Sequence, residues 1–239
     1  GVVTAVQPRH GVLARPDYSG RQKPLAANLT QLVIVVAPRP EPTGYLIDQY
    51  LVTSELIGLQ ACIALNKSDL LDASALAGFQ HRFARYADIG YPLISVSAKT
   101  DHGLDPLHAR LQGHTSILVG QSGVGKSSLV KALLPDREVQ IGRLSAATGL
   151  GRHTTSTTML YPLPSGGELV DSPGVRSFRL GRLSLQELAR GFRELHALLG
   201  HCRFANCRHD QEPDCALRAA VERGEVHPER LANYRPMGA

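Results

Sequence analysis

The sequence predicts an α/β fold, a mostly parallel sheet with helices on both faces, whose ligand-binding elements run in a permuted order. Three observations predict it. Four short apolar runs, at 32–37, 61–65, 93–96 and 116–119, read as strands buried on both sides, as parallel sheets require. The last run feeds a complete GxxxxGK[ST] phosphate loop, Gly120-Gln121-Ser122-Gly123-Val124-Gly125-Lys126-Ser127. An NKxD element, Asn66-Lys67-Ser68-Asp69, stands 54 positions ahead of that loop, whereas the Ras-like order places it near the end.

Along the chain, residues 1–30 are rich in β-branched residues and turn formers and show no helical period. They cannot bury a core alone and read as the end of a β barrel with its linker. Residues 32–37 open the sheet. Between 43 and 59, apolar side chains at Leu46, Ile47, Tyr50, Leu51 and Ile57 fall near helical spacing and predict an amphipathic helix. The run 61–65, which includes Cys62 as a core residue, delivers Asn66 to Asp69 to a strand's C-terminal end, where open α/β sheets bind ligands. Asp69 can accept from guanine N1–H and the 2-amine together, while Asn66 addresses the O6/N7 edge. Adenine lacks the 2-amine and leaves the carboxylate unpaired, so such a site rejects it by roughly 10⁴ or more. An NKxD tetrapeptide alone is weak, because polar loops of this composition are common. Ser97-Ala98-Lys99, after the run 93–96, matches the SAK element that backs guanine. The pair, with the phosphate loop, selects GTP.

In the phosphate loop, glycines at 120, 123 and 125 let backbone N–H groups turn inward around phosphate oxygens. The helix predicted over 126–134, with Ser128 in its first turn, adds partial positive charge. Lys126 reaches the β- and γ-phosphates, and Ser127 ligates Mg²⁺. Downstream, Gly151-Arg152-His153-Thr154-Thr155 offers the switch threonine. Thr154 and Thr155 both fit, and Thr155 is preferred as the third Mg²⁺ contact beside Ser127 and Asp171. Asp171-Ser172-Pro173-Gly174 has the DxxG form, with Gly174 N–H as the γ-phosphate sensor.

These elements together predict a circularly permuted P-loop GTPase domain. Val175, directly after DxxG, has no group with which to orient water, in contrast to the glutamine of Ras-type enzymes. His153 is the nearest candidate to position or deprotonate water, a solvated loop histidine being the alternative. Gly123 stands where potassium-activated GTPases carry asparagine, so potassium stimulation is not expected.

Beyond the sheet, a helix is expected over 184–199 and another over 216–223. Between them, Cys202-x4-Cys207-x-His209-x5-Cys215 gathers four soft ligands within fourteen residues, the make-up of one closed structural zinc site. Three cysteines cannot all pair as disulfides. The formal net charge is +5. Arginines at 176, 179, 182, 190, 193, 203 and 208 cluster around the switch and the metal loop, which fits either an RNA partner or a solvated basic face. No apolar run approaches the ~20 residues that span a bilayer.

The order NKSD, SAK, GQSGVGKSS, GRHTT, DSPGVRSF and C-x4-C-x-H-x5-C resembles the bacterial ribosome small-subunit-dependent GTPase A (RsgA) family, over essentially the whole chain. The resemblance implies an N-terminal OB-fold, here expected only as a C-terminal remnant with its linker in 1–30, then a permuted GTPase domain in 31–180 and a helical zinc-binding domain in 181–239. It implies a cytoplasmic, monomeric enzyme that converts GTP to GDP and phosphate. Its partners would be the 30S subunit and 16S rRNA, its role late subunit maturation with ribosome-stimulated turnover, and its metals one structural Zn²⁺ and the Mg²⁺ of GTP.

Overall fold

The computed structural model describes residues 4–5, 8–16, 21–135, 158–172 and 183–237. An antiparallel pair, β1 (Leu13–Pro16) and β2 (Gln22–Ala26), comes first. Then β3 (Gln31–Val36), β4 (Gln60–Leu65), β5 (Leu93–Ser95), β6 (Thr115–Val119), β7 (Met159–Pro162) and β8 (Glu168–Asp171) form one sheet in the order β5-β4-β3-β6-β8-β7. All neighbours are parallel except β7 and β8. Each of the four apolar runs is therefore a strand, within a residue or so of its expected bounds.

Helices α1 (Gly44–Leu56), α2 (Ala73–Asp88), α3 (Leu104–Leu111) and α4 (Lys126–Leu133) cover the two faces. Alternation along β3 decides which helix meets which face. Leu32, Ile34 and Val36 pack with Ile47, Tyr50 and Leu51 of α1 and Phe83 and Tyr86 of α2. Val33 and Val35 point the other way, onto Leu107 and Leu111 of α3 and Leu129 and Leu133 of α4. Each such fully buried aliphatic side chain contributes about 1.5–3 kcal/mol. Leu13 and Leu29 join the first of these layers, so the N-terminal pair rests on the sheet's own core.

The strand order creates the binding crevice. From β3 the chain steps outward to β4 and β5, then returns to lay β6 on the opposite side of β3. Connections leaving β3 and β6 diverge at their C-terminal ends, the switch point at which open sheets take ligands. Asn66 to Asp69 leave β4 at this edge, the phosphate loop leaves β6, and Asp171 ends β8. Among the described residues, no helix is long and apolar enough to cross a membrane.

The C-terminal third consists of α5 (Leu185–Arg190), a 3₁₀ turn over Arg193–Leu198, α6 (Ala216–Glu222) and α7 (Pro228–Met237). Leu188, Phe192, Leu195, Leu217 and Tyr234 form its core together with Val52 from α1.

Two helices differ from expectation. The helix expected over 184–199 starts with a capping box between Ser184 and Glu187 but stops at Arg190. Gly191 faces α1 so closely that an added Cβ would lie 2.5 Å from Val52 Cγ1, and the chain turns there before its 3₁₀ segment. The helix expected over 43–59 runs from a Thr43 cap to Leu56, and it is not simply amphipathic. It is buried on two sides, with Asp48, Thr53 and Ser54 inside as well as Ile47, Tyr50 and Leu51. Helix α1 lies between the sheet and the C-terminal third, so solvent does not define its second face.

Candidate functional site: a guanine-nucleotide cleft and a Cys3His cluster

The base-reading and phosphate-binding motifs meet although 54 positions separate them. Buried Asn66 donates from Nδ2 to the Val124 carbonyl of the phosphate loop at 2.8 Å and accepts the Ala98 N–H at 3.4 Å. Asn66 is thus a strut between NKSD, SAK and the phosphate loop, with one further amide hydrogen and lone pair in reserve for a base edge. Gly125 is required there. Its φ is +94°, and a Cβ would collide with Asn66 Nδ2.

Lys67 takes a left-handed conformation, φ 61°, and its ammonium bonds the carbonyls of Gly123 at 2.6 Å and Arg39 at 3.0 Å. Ser97, fully buried, donates its hydroxyl to Asp69 Oδ1 at 2.6 Å and accepts the N–H groups of Lys99 and Thr100, each at 3.3 Å. One carboxylate oxygen of exposed Asp69 is oriented by Ser97 while the group faces outward. Ser68 is buried, and its N–H reaches the Val96 carbonyl at 3.1 Å, binding NKSD to the neighbouring strand end.

At the phosphate end, Gly120 has φ +138°, and a Cβ would collide with the Val35 carbonyl. Lys126 Nζ donates to the Gly120 and Gln121 carbonyls, both at 2.6 Å. Ser122, Ser127 and Ser128 are exposed, whereas the Val124 side chain belongs to the core, leaving only its backbone for the site. Lys126, Ser127, Asp171 and Ser172 line one cleft. A hydroxyl and a carboxylate beside a lysine are the hard oxygen donors that a phosphate-bound Mg²⁺ accepts. His153, Thr154, Thr155, Gly174 and Val175 lie outside the described residues.

In the C-terminal third, Cys202, Cys207, His209 and Cys215 place their ligand atoms within 4.8 Å of one another. Cys202 Sγ is 4.0 Å from Cys215 Sγ and 3.5 Å from His209 Nδ1, and Cys215 Sγ is 3.4 Å from that nitrogen. A tetrahedron with Zn–S of about 2.3 Å has edges near 3.8 Å, so the cluster is compatible with zinc. All four cysteines of the chain are free thiols. Burial first, and then the neighbouring Cys215 and Cys202 thiols, push the Cys207 thiol up to about 12. His209 is itself left-handed, φ 61°, and its carbonyl is held by Arg235 Nε of α7 at 2.8 Å.

Sequence reading missed a buried ion cluster behind the site. Arg230 of α7 bonds Asp48 of α1 and Glu194, each at 2.6 Å, with 1%, 0% and 6% side-chain exposure respectively. Asp48 and Arg230 are 182 positions apart, and no local pattern announces such a pair.

The RsgA GTPase family model matches residues 6–181. Over 235 residues, the chain is 51% identical to a small ribosomal subunit biogenesis GTPase RsgA of Azotobacter vinelandii and 52% identical to one of Pseudomonas aeruginosa. These matches cover 98% of the chain and 68% and 69% of those proteins. Among solved structures, YjeQ from Thermotoga maritima superposes with a TM-score of 0.73 at 33% identity, over 95% of this chain and 81% of that one. YloQ, described as a circularly permuted GTPase, gives 0.72 at 28% identity over 98% and 81%. With its motifs in permuted order around one crevice, the chain belongs to the RsgA GTPase family and is a GTP hydrolase.

Proposed function

We propose that this GTPase serves biogenesis of the small ribosomal subunit, binding the 30S particle and 16S rRNA as a monomer, with turnover stimulated by the particle. One observation carries the reading: relatives alike over 98% of the chain bear that role in their names. In this reading residues 1–30 are the end of an OB-fold with its linker, 31–180 the permuted GTPase domain and 181–239 the zinc-binding domain. Co-sedimentation with 30S particles tests it, with GDP and a non-hydrolysable GTP analogue in parallel. Retention with the analogue and release with GDP is expected. Equal absence from the pellet in both would sink the idea.

Within the site, Asp69 and Asn66 read guanine, Lys67 and Ala98 border the base, and Ser97 orients Asp69. The phosphate loop with Lys126 holds the β- and γ-phosphates. Ser127, Asp171 and Thr155 hold Mg²⁺, which screens phosphate charge as it develops. The Gly174 N–H reports the γ-phosphate. The Cys3His cluster holds one structural Zn²⁺ per chain.

Asp69→Asn should relax base choice, because an amide cannot accept from both guanine donors. Xanthine nucleotides should then compete better and GTP worse. Unchanged base preference in competition binding would remove Asp69 from the reader.

The water-positioning role is assigned to His153, next to the switch threonines. His153→Ala should lower 30S-stimulated turnover by ~10²–10⁴ while leaving nucleotide affinity nearly intact. Loss of affinity along with rate would make the histidine structural. Unchanged turnover would point to a group supplied by the particle.

A further inference from the structure

Helix α1 is attached at two places of different function. Its sheet-facing side puts Leu46, Ile47 and Tyr50 beneath the phosphate loop, in a small apolar cavity closed by Gly120, Gln121 and Val124. Tyr50 is 2% exposed, and its hydroxyl faces the backbone of Gly120 across that cavity. Gly120 is the residue whose carbonyl holds Lys126 Nζ and whose backbone lies tight against Val35. Tyr50 therefore braces the phosphate loop at the point where the catalytic lysine is parked.

The other side of α1 belongs to the C-terminal domain. Asp48, Val52 and Glu55 recur at i, i+4 and i+7 and share one face. Asp48 meets Arg230 at 2.6 Å and Asn233 at 2.7 Å. Val52 packs into that domain's core. Glu55 pairs with Arg193 at 2.8 Å, and the Arg193 guanidinium lies 4.1 Å from the centre of the Tyr91 ring. Arg230 is sandwiched further, 4.3 Å from the Phe192 ring centre. Three charges this deeply buried tolerate little displacement, because separating any one leaves another unpaired in a low dielectric. The dock therefore has one good arrangement, and α1 moves with it.

We propose that α1 couples the nucleotide site to the metal-binding C-terminal domain, with Tyr50 as the positioning residue under the phosphate loop and the Asp48–Arg230–Glu194 cluster as the attachment at its far side. Phosphates seated in the loop bond its backbone N–H groups and the Lys126 ammonium that Gly120 also bonds, and so load the segment against which Tyr50 packs. Close-packed elements answer such changes by shifting as bodies rather than by yielding locally. This route passes through packed side chains. Coupling between two sites is reciprocal, so an attachment that feels the nucleotide must also tune nucleotide affinity.

The test uses the full chain without ribosomal particles, so it stands apart from the proposed ribosomal role. Hydrogen exchange of the α7 amides is compared without nucleotide and with saturating GDP, and affinity is measured with fluorescent GDP. In the unaltered protein, GDP should slow exchange in α7. Tyr50→Phe, which deletes only the hydroxyl, should weaken affinity by ~5-fold or more and abolish that protection. Asp48→Asn keeps the Arg230–Glu194 pair and the zinc site, and should weaken affinity by a similar factor at full zinc content. Exchange in α7 indifferent to GDP would overturn the proposal. So would wild-type affinity or persistent protection in Tyr50→Phe, or wild-type affinity in zinc-replete Asp48→Asn.

Discussion

Lys126→Ala should lower affinity for GTP and GDP by about 2–5 kcal/mol, the cost of truncating one partner of a buried, hydrogen-bonded charge pair. That is roughly 30-fold to several thousand-fold. Lys126 opens α4 and projects into the cleft it shares with Ser127 and Asp171, so its ammonium serves the polyphosphate from within the fold's own anion site. The fold should survive, because Lys126 bonds loop carbonyls there and is not among the buried core side chains. Nucleotide-dependent stabilisation, about 2.7 kcal/mol at a hundredfold excess of ligand over Kd, should fall to about 0.9 kcal/mol or less at the same concentration. The melt without nucleotide should stay put. A variant that gains as much stability from GDP as the unaltered protein does at the same concentrations would remove Lys126 from phosphate binding.

Cys207→Ser should have the largest effect on structure. Cys207 sits within the C-terminal core beside Leu195, Leu217 and Tyr234, and its sulfur also accepts the His209 N–H at 3.4 Å. A serine hydroxyl does not ionise to replace the thiolate, so the four-ligand set falls to three. Structural zinc contributes roughly 10–16 kcal/mol of apparent binding energy in small finger peptides. The irregular loop that carries the ligands and the 7-residue α6 after it are too short to stay ordered by themselves. Zinc content should fall from one per chain towards none, and limited proteolysis should cut beyond residue 200 while the sheet domain stays intact. Nucleotide affinity should drop by no more than the several-fold coupling carried by α1. Folded, protease-resistant protein that contains no metal would contradict the zinc assignment.

How much of this could be read in the chain depends on the range of each interaction. The parallel strands were legible because burial on both faces leaves near-continuous apolar runs, as in β3 and β4. The phosphate loop, NKSD and SAK were legible because each is a short segment at a strand end, and glycines such as Gly120 and Gly125 are demanded by their own φ and by close backbone contacts. The Cys3His cluster was legible because its four ligands lie within fourteen residues. The edge strand β7 was not, since its short length and exposed Leu160 leave only a weak alternation. Nor was the stop at Gly191, which is set by Val52 from a distant helix. The Asp48–Arg230–Glu194 cluster had no local trace, because a charged residue in a helix ordinarily reads as surface. Asn66 shows the same effect within a recognised motif: its type was legible, but its service as a strut to Val124 emerges only when β4 and β6 flank β3.

Displacement of fluorescent GDP by unlabelled GTP and ATP tests most directly whether motifs in permuted order build one guanine-selective site. If Asp69, oriented by Ser97, stands over the phosphate loop through the Asn66–Val124 bond, GTP displaces the probe at concentrations near its own Kd. ATP should then fail even at ~10³-fold excess, because adenine leaves the Asp69 carboxylate unpaired. Displacement by ATP at concentrations equal to GTP would contradict the account.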